Sequence, residues 1–217
     1  QYSWIVGAFQ LAYTIFQPLC GWLIDVIGLK LGFMICATLW AIACIAHAGA
    51  GSWLHLAILR FFMGGAEAAA TPANAKTLGE WFPKSERPIA AGWAGVGFSI
   101  GAMLAPPIIY FAHASFGWQG AFMFTGALAL VWVVLWWAFY HNPEKHPNLG
   151  KAELALIQQD NEAPPVKLPF FTALKTVSKN KRFYGIAIPA FMAEPAWAVL
   201  SFWVPLYLAK EHGMDLK

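Results

Sequence analysis

The order of apolar and polar positions divides the chain into long hydrophobic stretches with polar connections between them. A helix needs about 20 apolar residues to cross a bilayer, and six stretches reach roughly that length. These stretches cover residues 2–24, 31–50, 54–78, 88–112, 118–140 and 183–209. Continuous apolar runs exclude the alternating pattern of a barrel strand, and backbone groups in hydrocarbon must bond within their own segment. The pattern therefore predicts an all-α integral membrane protein with six transmembrane helices.

Composition supports the membrane class and excludes several others. Hydrophobic residues make up 59% of the 217 residues and charged residues only 12%, with a mean hydropathy of +0.54. The net charge of +3 does not indicate a nucleic-acid partner. Cys20, Cys36 and Cys44 lie in apolar spans without metal-ligand spacing, so we expect buried thiols and no metal site. His47, near the end of the second span, is interpreted as an interfacial group.

The positive charges predict the orientation. Lysine and arginine residues occupy the connections after the first, third and fifth spans, and the connections after the second and fourth spans have none. The positive-inside rule therefore places the loops at 25–30, 79–87 and 141–182 in the cytoplasm of a multi-pass inner-membrane protein. Gln1 is then outside, and because no signal sequence precedes it, we expect at least one further span upstream in a longer protein.

The third span carries two opposite charges, Arg60 and Glu67. An ionisable side chain at mid-bilayer costs at least ~2.5 kcal/mol, so such residues face a protein-lined or watery cavity and mark function. A separation of seven residues is nearly two helical turns, so both side chains project from one face, and Asn74 continues the stripe. Two structural alternatives stay open: an ion pair that only holds the bundle together, and an Arg60 that snorkels to a membrane face.

A short glycine turn joins the first two spans, in the segment GWLIDVIGLKLG. Gly21 and Gly28 permit close helix approach and a tight reversal, while Asp25 can pair with a cation or cap a helix. With Lys30, this pattern resembles the Gly-x-Leu-x-Asp-x-x-Gly-x-Arg/Lys signature of the major facilitator superfamily, found there between the second and third helices. A generic helix reversal is the alternative.

The third span and its exit sharpen that resemblance. Arg60, Glu67 and a proline are followed by Trp-Phe-Pro and by the Glu-Arg pair that ends at Arg87. This order resembles the anion:cation symporter family within the superfamily. The sixth span contains PAFMAEPAW, which includes Glu194 and resembles the seventh helix of hexuronate-transporting members. The likeness covers almost the entire chain.

The resemblance implies a helical bundle of twelve helices, of which this chain holds the second to the seventh. Residues 1–140 would be the second to sixth helices, 141–182 the cytoplasmic loop between the two halves, and 183–217 the first helix of the second half. A short surface helix is expected near 150–162. The basic cluster at 175–182 has attraction to anionic lipid as a further interpretation.

The resemblance also implies secondary active transport, with symport of a small organic anion and a coupling proton and without a cofactor. Arg60 is expected to hold the substrate carboxylate by a bidentate contact, and Glu67 to carry the proton, with Glu194 as the second candidate. Sodium is the alternative coupling ion. A hexuronate such as galacturonate or glucuronate is the expected substrate, and an aldonate, aromatic or dicarboxylic acid is the alternative.

Further substrate contacts are expected from four other side chains. Tyr13 and Gln17, one turn apart, can bond sugar hydroxyls, Asn74 shares the Arg60 stripe, and Trp197 can stack on a sugar ring. Packing roles are the alternative for each. Gly21, Asp25, Gly28, Lys30 and Arg87 form the expected conformational-loop motif. A membrane-embedded enzyme with Glu67 or Glu194 as base is the remote alternative, since no nucleophile, metal cluster or cofactor loop accompanies either acid.

Overall fold

The structure is a computed structural model that describes residues 1–160 and 167–213. The described residues form helices and connections and no strand, so the all-α prediction is confirmed. Contacts divide the chain into two compact units, Gln1–Lys167 and a second unit that begins at Leu168.

The helices of the two units follow one another along the chain. In the described part of the first unit these are α1 (Tyr2–Ile27), α2 (Leu29–Ala46), α3 (Trp53–Glu67), α4 (Ala70–Trp81), α5 (Arg87–Phe139) and α6 (Lys151–Ile157), with 3-10 turns at His47–Gly49 and Pro143–Lys145. In the described part of the second they are α7 (Phe170–Lys179), α8 (Lys181–Ala198), a π-helical turn at Val199–Trp203 and α9 (Val204–Glu211). The short helix expected on the long connection is α6.

Two of the described helical segments are long and apolar enough to cross a membrane, judged by length and composition. They are Leu29–Gly49 and Arg87–Phe139. The first corresponds to the second predicted span, and the second covers the fourth and fifth predicted spans together. The full set of six spans stays a prediction.

The reversal between α1 and α2 takes place at Gly28, as expected from the glycine turn. Gly28 has a φ of 93°, a backbone conformation that glycine adopts without a side-chain clash, and its N–H bonds the Ile24 carbonyl at 3.0 Å. Ile24 and Leu29 on the two sides of the turn are each 1% exposed. The turn is therefore fastened into the core.

The third predicted span contains a local interruption of its helix. The helix is interrupted at Ala68 and Ala69, so that α3 ends at Glu67 and α4 begins at Ala70. The cause is Pro72, which lacks an N–H for the Ala68 carbonyl and whose ring crowds that carbonyl, four residues earlier. Ala69 instead donates to Ala66 across three residues, at 3.4 Å. Asn74 therefore lies beyond a break in the helix that carries Arg60 and Glu67.

The fourth and fifth predicted spans meet at a single residue. Within α5, Gly117 has a φ of 71° and a ψ of −179°, which is not helical. This residue divides α5 into an arm at 87–116 and an arm at 118–139. The positive φ favours glycine at this position.

Close helix contacts hold α3 against α1. An added Cβ at Gly64 would come 2.5 Å from the Phe9 carbonyl oxygen, and one at Gly65 would come 3.3 Å from the Phe16 ring. Only a small residue permits this approach. Cys20, Cys36 and Cys44 are buried, as predicted, and none of them forms a disulfide. The packing positions the third span's charges beside the aromatic side chains of α1.

Candidate functional site

Arg60 and Glu67 belong to one uninterrupted helix. Ser52 caps the start of α3, where its Oγ accepts a hydrogen bond from the His55 N–H at 3.2 Å, and Glu67 is the last residue. The two charged residues are separated by seven positions, so they lie on the same helix face, roughly 10 Å apart along the axis.

Arg60 lies at the wall of a cavity of about 370 Å³. Its guanidinium carbon is 5.9 Å from the centre of the Phe9 ring, a cation–π contact with α1. Among the described residues Arg60 makes no ion pair and no hydrogen bond through its side chain, and Glu67 likewise has no ion-pair partner. The direct Arg60–Glu67 pair considered from the sequence is therefore not formed there. The guanidinium keeps its five donors for another group.

The cavity beside Arg60 is assembled from four parts of the first unit. They are α1, the connection between α2 and α3, α3 itself and the second arm of α5, and the lining includes Ile5, His47, Ser52, Arg60, Trp118 and Phe122. We call this the His47–Arg60 cavity. Trp118 and Phe122 meet edge to face with ring centres 6.3 Å apart. A cation and aromatic walls in one concavity are features of ligand sites.

The other substrate-contact candidates of this unit lie outside that cavity. Tyr13 reaches from α1 to α4, where its hydroxyl hydrogen-bonds the Thr71 hydroxyl at 3.0 Å. Its ring stacks with Phe9 at 6.0 Å, so it belongs to the aromatic layer beneath Arg60. Gln17 is half-buried one turn further along α1, and Asn74 is exposed on α4. The structure brings Tyr13 near the site through Phe9 and leaves Asn74 beyond the helix break.

Two predicted positions lie in the second unit. The backbone of α8 carries Glu194 and Trp197, but their side chains fall outside the described part of the chain. The proton-coupling role of Glu194 and the stacking role of Trp197 therefore stay predictions.

The conformational-loop residues gather at one end of α1, α4 and α5. Asp25 pairs with Lys76 of α4 at 2.7 Å, and the same ammonium donates to the Ile24 carbonyl at 3.3 Å. Arg87 donates to the carbonyls of Gly79 and Phe82 at 2.9 and 3.0 Å, which fastens the start of α5 to the end of α4. We call these groups the Asp25 cluster.

Backbone contacts complete the same end of the unit. The Lys30 carbonyl accepts from Trp136 Nε1 at 3.2 Å, and an added Cβ at Gly21 would touch Pro72 at 3.4 Å. The sequence indicated a cation for Asp25, and Lys76 was missed as the partner. The available signal was Lys76, nine positions after Glu67. Only the folded structure shows that it reaches Asp25.

The sequence interpretation of His47 as an interfacial group is wrong. His47 is 0% exposed, and its ring stacks on Phe122 with ring centres 4.9 Å apart. The start of the fifth predicted span packs over the end of the second, and no local sequence pattern predicts this contact. Trp118 and Phe122 were missed for the same reason.

The whole chain is similar to known transport proteins. The model of the Major Facilitator Superfamily matches residues 1–217. The chain is 44% identical over 218 residues to a hexuronate transporter of Escherichia coli strain K12, covering 100% of this chain and 50% of that relative. It is 43% identical over 219 residues to a galacturonate transporter of Dickeya chrysanthemi, covering 100% of this chain and 63% of the relative.

The name of a more distant relative indicates a different class of anion. The chain is 30% identical over 225 residues to a probable sulfoacetate transporter of Cupriavidus necator, covering 100% of this chain and 50% of that relative. Against this relative and the Escherichia coli one, the chain spans about half the length of the curated proteins that it matches.

Proposed function

This chain belongs to the Major Facilitator Superfamily, and from that premise we propose that the complete protein is a proton-coupled carrier of a small organic anion. The substrate is a hexuronate such as galacturonate or glucuronate. Support comes from two relatives of 44% and 43% identity, which are named as hexuronate and galacturonate transporters. The carrier lies in the cell inner membrane, with the loops at 25–30, 79–87 and 141–182 in the cytoplasm.

The main support for this proposal is that Arg60 lines a cavity and lacks a polar partner among the described residues. In the described residues it lines a cavity and has neither an ion pair nor a side-chain hydrogen bond. A cation in an apolar span is costly, so a role outside the fold explains its retention better than a structural pair does. The planar guanidinium matches a carboxylate in two-point geometry. Arg60 is therefore the proposed substrate-carboxylate site.

Glu67 is the proposed coupling site on the same helix. When Glu67 is ionised, its charge attracts Arg60 and competes with the substrate carboxylate. Protonation removes that competition, so substrate binds to the protonated carrier and the loaded site crosses with less charge. Tyr13, Gln17 and Asn74 are proposed as nearby polar contacts, and Trp197 and Glu194 as contributions from the second unit. The coupling ion is a proton in this scheme, with sodium as the alternative.

A carrier of another organic anion is the second candidate, because the probable sulfoacetate transporter also matches the whole chain. An aldonate, aromatic acid or dicarboxylic acid would use the same Arg60 contact. A substrate panel separates these candidates, since only the cognate anion should compete with labelled D-galacturonate at low concentration.

The experiment is uptake into proteoliposomes that contain the complete carrier. An acidic exterior should drive labelled D-galacturonate above its equilibrium concentration, and a protonophore should abolish that accumulation. Unlabelled substrate inside should produce transient counterflow, which a channel does not show. Accumulation driven by a sodium gradient alone would show that sodium is the coupling ion. Chemical conversion of the labelled compound would indicate an enzyme.

A further inference from the structure

The His47–Arg60 cavity contains a polar side chain that the transport scheme does not use. His47 is fully buried and lines the cavity together with Arg60. Its ring lies nearly parallel to the Phe122 ring, at an angle of 16°. The imidazole is thus held in one orientation between the end of α2 and the second arm of α5, which is a requirement for a binding group.

The hydrogen bond of His47 decides what its second nitrogen can do. Nδ1 lies 2.7 Å from the Ala43 carbonyl oxygen. A carbonyl only accepts, so Nδ1 carries the hydrogen, and in the neutral ring Nε2 is an acceptor. Nε2 is buried and has no hydrogen-bond partner within the described part of the chain. Buried polar atoms are nearly always paired, so this nitrogen lacks a partner that a group outside the described fold can supply.

The two polar side chains of the cavity are complementary in what they offer. Arg60 supplies only donors and suits a carboxylate, whereas Nε2 of His47 suits a hydroxyl hydrogen. We propose that the His47–Arg60 cavity is a subsite for a hydroxylated carboxylate, in which Arg60 holds the carboxylate and His47 accepts from a ligand hydroxyl. This inference rests on the proposed function, because that function makes Arg60 the carboxylate site.

The size and walls of the cavity fit such a ligand. Its volume of about 370 Å³ lies at the small end of the range for ligand sites. Trp118 and Phe122 supply aromatic surface, on which the apolar C–H face of a sugar ring packs. Trp118 directly follows Gly117, so the non-helical backbone there sets where this wall begins.

The chemistry makes His47 a specificity-determining residue. A site with a buried acceptor discriminates strongly against a ligand that lacks the matching hydroxyl, because the acceptor then stays unpaired. The cavity should therefore prefer hydroxylated acids to acids of the same ring skeleton without hydroxyl groups. Arg60 by itself gives no such preference, since both kinds of acid carry the carboxylate.

The test compares two probes that share a ring and a carboxylate. D-galacturonate has hydroxyl groups, and tetrahydropyran-2-carboxylate has none. Inhibition constants against labelled D-galacturonate are measured in the complete carrier and in three variants: His47→Phe, which keeps the ring stacked on Phe122, His47→Met, and the control His55→Phe. His55 is an exposed histidine at the start of α3 that does not line the cavity.

Both His47 variants should lose about tenfold in the preference for D-galacturonate, while binding of tetrahydropyran-2-carboxylate stays within about twofold. His55→Phe should leave both constants unchanged. The ratio within each variant controls for the amount of folded protein, and the methionine variant replaces the phenylalanine variant if that one does not fold.

Equal weakening of both probes, or an unchanged ratio, would overturn the hydroxyl contact while the proposed carrier function stands. Failure of the unmodified carrier to bind any hydroxylated acid would overturn the proposed function and the subsite with it.

Discussion

The two ends of the first unit treat their polar groups in opposite ways. In the Asp25 cluster the charged groups are paired within the fold: Asp25 with Lys76, and Arg87 with the carbonyls at the end of α4. In the His47–Arg60 cavity neither the guanidinium of Arg60 nor Nε2 of His47 has a hydrogen-bond partner among the described residues. Groups that the fold satisfies stabilise helix ends, and groups that it leaves open are available to a ligand.

Solvent exposure adds to this difference. The Asp25 side chain is 56% exposed, so its pair with Lys76 is screened by water and contributes little to stability. His47 is 0% exposed, and an unpaired acceptor there is destabilising. A polar group kept at a cost to stability needs another reason to be present, and the hydroxyl contact proposed for His47 supplies one.

The largest expected effect belongs to Arg60. Arg60→Lys in the complete carrier should weaken D-galacturonate binding by about 100-fold, because an ammonium keeps the charge but loses the planar two-point contact. Lys76→Arg at the Asp25 cluster is the matched control and should leave affinity within about twofold. Isothermal titration gives both values. Near-normal affinity in Arg60→Lys would show that Arg60 has a structural role only. The difference between the Asp25 cluster and the His47–Arg60 cavity would then have no bearing on substrate binding.

The next effect concerns the contact that holds Phe9 beneath Arg60. Gly64→Ala places a methyl group against the Phe9 carbonyl, which cannot move without shifting α1, so we expect destabilisation of about 1–3 kcal/mol. Gly79→Ala on α4 has open space around its Cβ and should be neutral or slightly stabilising. Thermal melting in detergent measures both. Equal melting temperatures would show that the close α1–α3 approach is not required.

The smallest effect is expected at the exposed ion pair. Asp25→Asn should change the free energy of unfolding by less than about 1 kcal/mol, as for other surface pairs. Glu153→Gln, at an exposed position on α6, is the charge-matched control. Raising the salt concentration should bring the melting curve of the unmodified protein and that of the Asp25 variant together. A large loss of stability would mean that the Asp25 cluster carries more of the fold than its exposure implies.

Much of the fold could be predicted from the sequence, because local signals decide it. Hydrophobic length predicted helices, and the Gly28 turn was predicted from its glycine and its spacing. The break before Ala70 lies close to Pro72, a signal that the length of the apolar run conceals. A proline inside a predicted span does not by itself end the helix, since α1 continues through Pro18.

The candidate site was predictable only in part. Helical spacing was enough to place Arg60 and Glu67 on one face. His47 and Phe122 are 75 positions apart, and their ring contact depends on how α5 returns past the end of α2. No periodicity records that contact. The roles of Glu194 and Trp197 stay predictions.

Glu67 is proposed to couple a proton to the transport of the anion that Arg60 holds. Glu67→Gln keeps the size and hydrogen-bonding ability of the protonated acid but cannot release a proton. Exchange of labelled for unlabelled D-galacturonate across the membrane needs no empty, deprotonated carrier, whereas net uptake does. Glu194→Gln is the parallel variant, because Glu194 is the second candidate for the proton.

The decisive measurement is exchange and gradient-driven uptake side by side in proteoliposomes that carry either variant. We predict that Glu67→Gln retains exchange and loses accumulation, while Glu194→Gln retains both. Loss of exchange together with stability in Glu67→Gln would make this residue only the counter-ion of Arg60. Accumulation driven by the pH gradient in the Glu67→Gln carrier would contradict the account outright.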